Sequence, residues 1–208
     1  RWLEERIEVF NAYTVPSVRN CYLKPDKWYI LIDDRLSLGL KDILSNVLKG
    51  LNFSLVNYAG LSIDETIRRQ LATYDFPLRV RMTRLDSDDL VASDFFARIK
   101  ALDFSGEDLA RPVVVSFPGG SNFDVASGDF FFSAYPDNPF LTLVENLAEA
   151  QAARTVYCRM HTEMLNGEFC CRFIRSFHPM WASVLHKATT QNQALRATNS
   201  VALQSSVA

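Results

Sequence analysis

Between Asp26 and Leu102 the sequence switches repeatedly between a strand-like and a helix-like period, and this constrains the fold more than any other feature. Asp26 to Asp34, DKWYILIDD, is an aromatic and β-branched run ending in two acids, the pattern of a buried strand with carboxylates at its C-terminal end. Ser37 caps a helix through Leu48, which Gly50 stops. Phe53 to Tyr58 is the next strand. Ser62 with Glu65 forms a capping box opening a helix to about Tyr74. Leu78, Val80 and Met82 alternate along a third strand, Leu78 to Leu85. Ser93 or Asp94 then opens a helix whose apolar stripe is Phe95, Phe96, Ile99 and Leu102. Strand followed by helix, repeated, predicts the α/β class with a mainly parallel central sheet. Ligands of such sheets bind beyond the carboxyl ends of the strands. Asp33/Asp34 and Asp86/Asp88 both lie at such ends, so the two pairs are expected to face one crevice.

Upstream, Trp2 to about Cys21 reads as a helix with Leu3, Ile7 and Phe10 on one face, ended or kinked at Pro16. Beyond Arg111 the pattern changes. Pro112 to Phe117 is a short strand, PGGSN at 118–122 a turn, and Asp129 to Tyr135 a strand. The spacing of Leu143, Leu147 and Ala150 predicts a helix over Phe140 to Ala153. Thr155 to Cys158 and Phe169 to Ile174 are expected as short strands around a helical turn at His161 to Leu165. Met180 to Leu185 is a last apolar run, closed by His186. Residues 1–188 read as one domain and 189–208 as a polar tail. The helical pattern begins at the very first residues, so a further segment is expected upstream.

Composition narrows the function classes. Of 208 residues 48% are hydrophobic and 22% charged, with a formal net charge of −2 and both signs interspersed. This argues against nucleic acid or an anionic membrane as the main partner. No apolar run could span a bilayer, and no stretch of these residues reads as a signal peptide. The four cysteines lack zinc spacing, and Cys170-Cys171 is a poor disulfide framework, so a reducing, cytoplasmic setting is expected.

The run RVRMTRLDSDDL, Arg79 to Leu90, holds the densest chemistry. Were the chain to stay extended past Leu85, Asp86 and Asp88 would share a face, with Ser87 and Asp89 opposite. Two carboxylates at a strand end suit Mg²⁺ or Mn²⁺, which bind through one or two carboxylates plus substrate phosphates. The same acids equally suit a helix N-terminus, where they favour the positive dipole end.

Five stretches in order, WLEERIEVFNAYTVPSVRN, WYILIDD, RLDSDDL, YPDNPFLTLVE and WASVLH, resemble the putative rhamnosyltransferase family of bacteria. RLDSDDL is the most specific of them. The resemblance implies a GT-A type glycosyltransferase: a Rossmann-like sandwich with a mainly parallel central sheet, here lacking the family's first strand. The family's closing block continues from its His with Gly and Asn, whereas this chain reads His186-Lys187-Ala188-Thr189.

Such an enzyme moves a sugar, here possibly rhamnose by family name, from a nucleotide-diphosphate donor to a carbohydrate or other hydroxyl acceptor. A bound Mn²⁺ or Mg²⁺ would stabilise the leaving diphosphate. The resemblance makes Asp88 the direct metal ligand, with Asp86 either a second ligand or a partner of sugar or ribose hydroxyls. His186 either completes the metal shell or is a structural His. Asp33 and Asp34 would bind base or ribose, or cap the next loop. Arg84 either meets the diphosphate or neutralises the acids beside it, and Asp89 caps a helix or orients the sugar. An inverting transfer needs a general base; Glu145 is the candidate by block position and Glu163 the runner-up. Two other readings compete: a non-catalytic GT-A-fold module for carbohydrate binding or assembly, and a metal-dependent nucleotidyltransferase or phosphohydrolase. A neighbouring domain or subunit is expected at the sheet edge left open by the missing strand.

Overall fold

The structure, a computed structural model, describes residues 2–58, 60–104 and 111–186. Helix α1 (Trp2–Val9) runs through a π-helical turn, Phe10–Thr14, into α2 (Val15–Arg19). Pro16 has no N–H to donate, and the helix meets it with a widened turn in which the Val15 N–H reaches back to the Phe10 carbonyl. Pro16 therefore shapes the helix without ending it.

Strand β1 (Trp28–Ile32), α3 (Leu38–Val47), β2 (Phe53–Asn57), α4 (Ile63–Leu71) and β3 (Leu78–Thr83) follow in the expected alternation. Ser37 Oγ accepts the Leu40 N–H and Ser62 Oγ the Glu65 N–H, so both caps act as their sequences imply. Strands β1 and β2 pair in parallel, with Ile30 opposite Leu55. Next come β4 (Asp89–Val91), α5 (Phe95–Ala101), β5 (Val113–Ser116), β6 (Gly119–Asp124), β7 (Asp129–Ala134), β8 (Thr142–Leu147), β9 (Cys170–Phe173) and β10 (Trp181–Leu185).

Among the described residues these strands form three sheets: β1-β2, β4-β10-β6-β7 and β3-β8-β5-β9. The chain is mixed α/β, and the expectation of one mainly parallel sheet is corrected. Antiparallel pairs join β3 to β8, β5 to β8, β6 to β7 and β10 to β4. Connection length explains part of this. The turn between Asp124 and Asp129 is too short for a crossover, so β6 and β7 must form an antiparallel hairpin, with Gly128 at φ 78°. A cavity of about 320 Å³, walled by β1, β3, α4 and α5, separates β1 from β3 where a continuous sheet was expected. The four cysteines form no disulfide.

Three further expectations change. The stretch predicted as a helix over Phe140 to Ala153 is β8 followed by a 3₁₀ turn at Ala150–Ala152. Strand β8 lies between β3 and β5 and is buried except at Asn146, so its apolar residues occupy both faces and give no two-residue alternation. Thr155 to Cys158 is a turn. The PGGSN stretch enters strand β6, where Gly120 serves packing. A Cβ built on Gly120 would sit 2.1 Å from the Trp181 indole. That indole stacks on Phe140 at 4.8 Å and 16°, meets Tyr135 edge-on at 5.2 Å, and donates from Nε1 to the Phe117 carbonyl at 2.8 Å.

Gly120→Ala should therefore overpack a site that has no slack, costing about 1–3 kcal/mol. At roughly 2–4 °C per kcal/mol for a chain of this size, the melting temperature should fall by several degrees. An unchanged melting temperature would refute the close-packing account.

Candidate functional site

Strand β3 ends at Thr83, and the chain crosses residues 84–88 before entering β4. Within this loop the Asp89 N–H donates to the Asp86 carbonyl at 3.2 Å, a tight turn in place of an extended strand end. Asp86 and Asp88 consequently do not share an extended face. Asp89 starts a strand and caps no helix. Strand β4 runs antiparallel to β10 with Asp89 opposite Ser183, and the Val184 N–H donates to the Asp88 carbonyl at 3.1 Å. The RLDSDDL and WASVLH blocks, distant in sequence, are thereby neighbouring strands.

This pairing delivers His186, the residue after β10, to Asp88: Nε2 lies 3.1 Å from Oδ2. A third segment completes the cluster. From α1, Arg6 Nη1 donates to Asp88 Oδ2 at 2.6 Å, and Nη2 donates to Asp88 Oδ1 at 3.1 Å and to Ser87 Oγ at 2.8 Å. Nη1 also lies 3.5 Å from His186 Nε2. The side chains of Arg6, Asp88 and His186 are 20%, 14% and 8% exposed. A two-pronged guanidinium–carboxylate contact of this burial is a strong, orienting interaction. Helical periodicity reads Arg6 as a solvated charge between Leu3 and Ile7; only its place in the WLEERIEVFNAYTVPSVRN block sets it apart.

Asp86 turns the other way. Arg84 grips it through Nε at 3.0 Å and Nη2 at 2.9 Å, and the Arg84 guanidinium lies 5.5 Å from the centre of the Tyr157 ring. The Asp86 hydrogen bond holds the Arg84 pKa above its ordinary value. Asp89 is buried, and its carboxyl is pushed well above the usual range by burial, then by the charges of Asp86 and Asp88, against a hydrogen bond from Ser183.

These contacts do not suit the metal that the resemblance implies. Among the described residues no group of three or more His, Cys, Asp or Glu is placed to hold an ion. Of the expected ligands only Asp88 and His186 touch, Asp86 is held by Arg84, and both oxygens of Asp88 are engaged by Arg6.

The other candidates stand on other elements. Asp33, just past β1, is forked by Arg35 at 2.9 and 2.7 Å, which holds its carboxyl well below the usual range. Asp34 is exposed beside it. Glu163 sits exposed on a 3₁₀ turn, His161–Glu163, whose His161 Nδ1 contacts the Asp137 carbonyl. Glu145 is in β8 opposite Val80, three residues, or roughly 10 Å, along the strand from the Thr83–Thr142 pair nearest the acidic loop. It is 4% exposed, and its carboxylate accepts the Arg154 N–H at 3.2 and 3.3 Å. This anchors the turn in which Thr155 holds φ 55°, an unusual conformation for a β-branched residue.

A family model described as putative rhamnosyl transferase matches residues 1–195, a span that includes Arg6, the acidic loop and His186. The chain belongs to this transferase family. No curated protein matches it. Among the described residues of this transferase-family chain, no helix is long and apolar enough to cross a membrane.

Two predictions follow from the contacts. In urea denaturation, a double-mutant cycle of Arg6→Ala and Asp88→Asn should give a coupling of about 1.5–3 kcal/mol, the range for a charged, partly buried hydrogen-bonded pair; additivity would show the contact to be idle. Burial holds the Glu145 carboxyl above the ordinary glutamate range, against the N–H groups of Arg154 and Thr155. A carboxyl raised on folding favours the folded state below its unfolded pKa, and that contribution is lost as pH rises through the folded value. From about pH 4 toward neutrality, the wild type should therefore lose stability relative to Glu145→Gln. A difference in melting temperature that does not change with pH would contradict this.

Proposed function

We propose that this chain is a GT-A type glycosyltransferase that moves a sugar, rhamnose by its family description, from a nucleotide-diphosphate donor to a carbohydrate or other acceptor hydroxyl. The observation that carries the reading is the convergence of Arg6, Asp88 and His186 from three distant segments, all within the matched span. Breaking the donor's glycosidic bond leaves new negative charge on the diphosphate, and preorganised positive groups stabilise that charge as it forms. Arg6 and Arg84 are the cations paired with the acids of the loop, and guanidinium groups suit phosphate oxygens. Asp88 and Asp86 hold the two guanidinium groups in place and offer carboxylate oxygens to sugar or ribose hydroxyls. His186 fixes the orientation of Asp88. Asp34 and Asp33 serve the base or ribose from the end of β1. In this reading Glu145 steadies the Arg154–Thr155 turn, and the exposed Glu163 takes no part in the reaction.

One observation favours a second reading, a non-catalytic carbohydrate-binding or assembly module: both oxygens of Asp88 are already engaged within the protein.

A thermal-shift series with dTDP, UDP and GDP in EDTA, on the wild type and Asp88→Asn, separates the two. At 100 times its Kd a bound nucleotide adds about 2.7 kcal/mol, which is roughly 5–10 °C here at about 2–4 °C per kcal/mol. One diphosphate should give such a shift and the variant should lose it. No shift with any of the three, in a folded protein, would favour the non-catalytic module.

A further inference from the structure

At the acid where a divalent ion was expected, the protein places its own cation. The two Nη atoms of Arg6 each meet one oxygen of Asp88, and Nη2 adds Ser87 Oγ, so guanidinium and carboxylate lie fork to fork. Three features make this a built arrangement. Arg6 stands on α1, whose next residue, Ile7, is buried with Phe10, Val15 and Ile32, so the backbone bearing the guanidinium is fixed by the core. The two acids of the loop each have a cation of their own: Arg6 answers Asp88 and Arg84 answers Asp86. The imidazole that would complete a metal shell faces the same carboxylate, with Nε2 at 3.1 Å from Asp88 Oδ2 and 3.5 Å from Arg6 Nη1.

A divalent ion bound by Asp88 and His186 would have to share the same oxygens with a positive guanidinium at hydrogen-bond distance. Like charges that close, with little water between them, repel strongly. Arg6 would have to leave first, giving up its contacts to Asp88 and Ser87.

We propose that Arg6 is the resident cation of this site: it stands at Asp88 in place of Mn²⁺ or Mg²⁺, excludes both ions, and sets its positive charge beside the phosphates of the ligand. The last element rests on the donor reading above; the exclusion of metal rests on the contacts alone. The consequence is a diphosphate site that works without a divalent ion and whose charge is set by the sequence.

Mn²⁺ binding, read by electron paramagnetic resonance on the whole chain, tests the exclusion directly. The wild type should take up no Mn²⁺ at an Asp88-dependent site even at ~1 mM, the weak end of protein sites for hard cations. Arg6→Ala frees Asp88 and His186 and should raise Mn²⁺ affinity by at least about tenfold. Arg6→Ala combined with Asp88→Asn should lose that gain, and Arg6→Lys, which keeps a positive charge, should exclude Mn²⁺ as the wild type does. Mn²⁺ bound by the wild type and lost in Asp88→Asn would overturn the proposal. So would a folded Arg6→Ala variant that gains no Mn²⁺. Should Arg6→Ala not fold, the comparison of wild type with Asp88→Asn decides alone. A parallel arm measures the thermal shift with dTDP, UDP and GDP in EDTA and in Mn²⁺. Equal shifts support Arg6 as the phosphate-facing cation, and a shift that requires Mn²⁺ overturns it. If no nucleotide shifts the protein in either buffer, the donor reading fails, and the Mn²⁺ titration still decides the exclusion.

Discussion

The position of β10 between its two neighbouring strands depends on the Trp181 indole lying on the bare backbone of Gly120. That contact, with Phe140 stacked on the ring and the Phe117 carbonyl capping its N–H, fixes where the strand starts between β4 and β6. The approach of His186 to Asp88 is downstream of this seating. Because side chains alternate along a strand, a slip of one residue would turn Ser183 away from Asp89 and carry His186 off Asp88. A hydrophobic ring in the core thus determines the geometry of a polar cluster at the strand's far end.

The cluster also depends on α1, whose own hold comes from burial. Ile7 and Phe10 pack into the core with Leu36, Leu44 and Leu48, and the Phe10 ring meets Trp28 at 5.6 Å. The same helix therefore serves two ends: its apolar face secures it against β1 and α3, and its polar face spends one arginine on a carboxylate some eighty residues away. An ion pair of this burial is costly to leave half-made, which ties the order of the acidic loop to the docking of the N-terminal helix.

Sequence reasoning reads the first half of this molecule well because its signals are local. Ser37 and Ser62 cap helices by contacts within three residues, and β1, β2 and β3 announce themselves by composition. The second half is organised by contacts that local patterns do not register. Strand β8 looks helical because a strand buried on both faces shows no alternation, and the Gly119-Gly120 pair looks like a turn because its reason is a ring sixty residues on. The site divides in the same way. Asp88 and His186 were legible through two family blocks that the fold places side by side. Arg6 was not, since nothing along a helix distinguishes a charge facing water from one facing a distant carboxylate. Asp86 and Asp88 diverge because the loop turns after Thr83, a bend the alternation of Leu78, Val80 and Met82 does not foretell.

The cavity between β1 and β3 bears on how this protein comes apart. No hydrogen-bonded ladder crosses it among the described residues; the β1-β2 pair is joined to the rest by side chains, through packing of Trp28, α1 and α2 and the hydrogen bond between the Tyr29 and Tyr74 hydroxyls. Cooperative opening follows such seams. In amide hydrogen exchange, β1 and β2 should behave as a separate unit, exchanging at lower free energy than the interlocked β5 and β8. The segment bearing Asp33 belongs to that unit, and α1, packed on β1, links it to the Asp88 cluster.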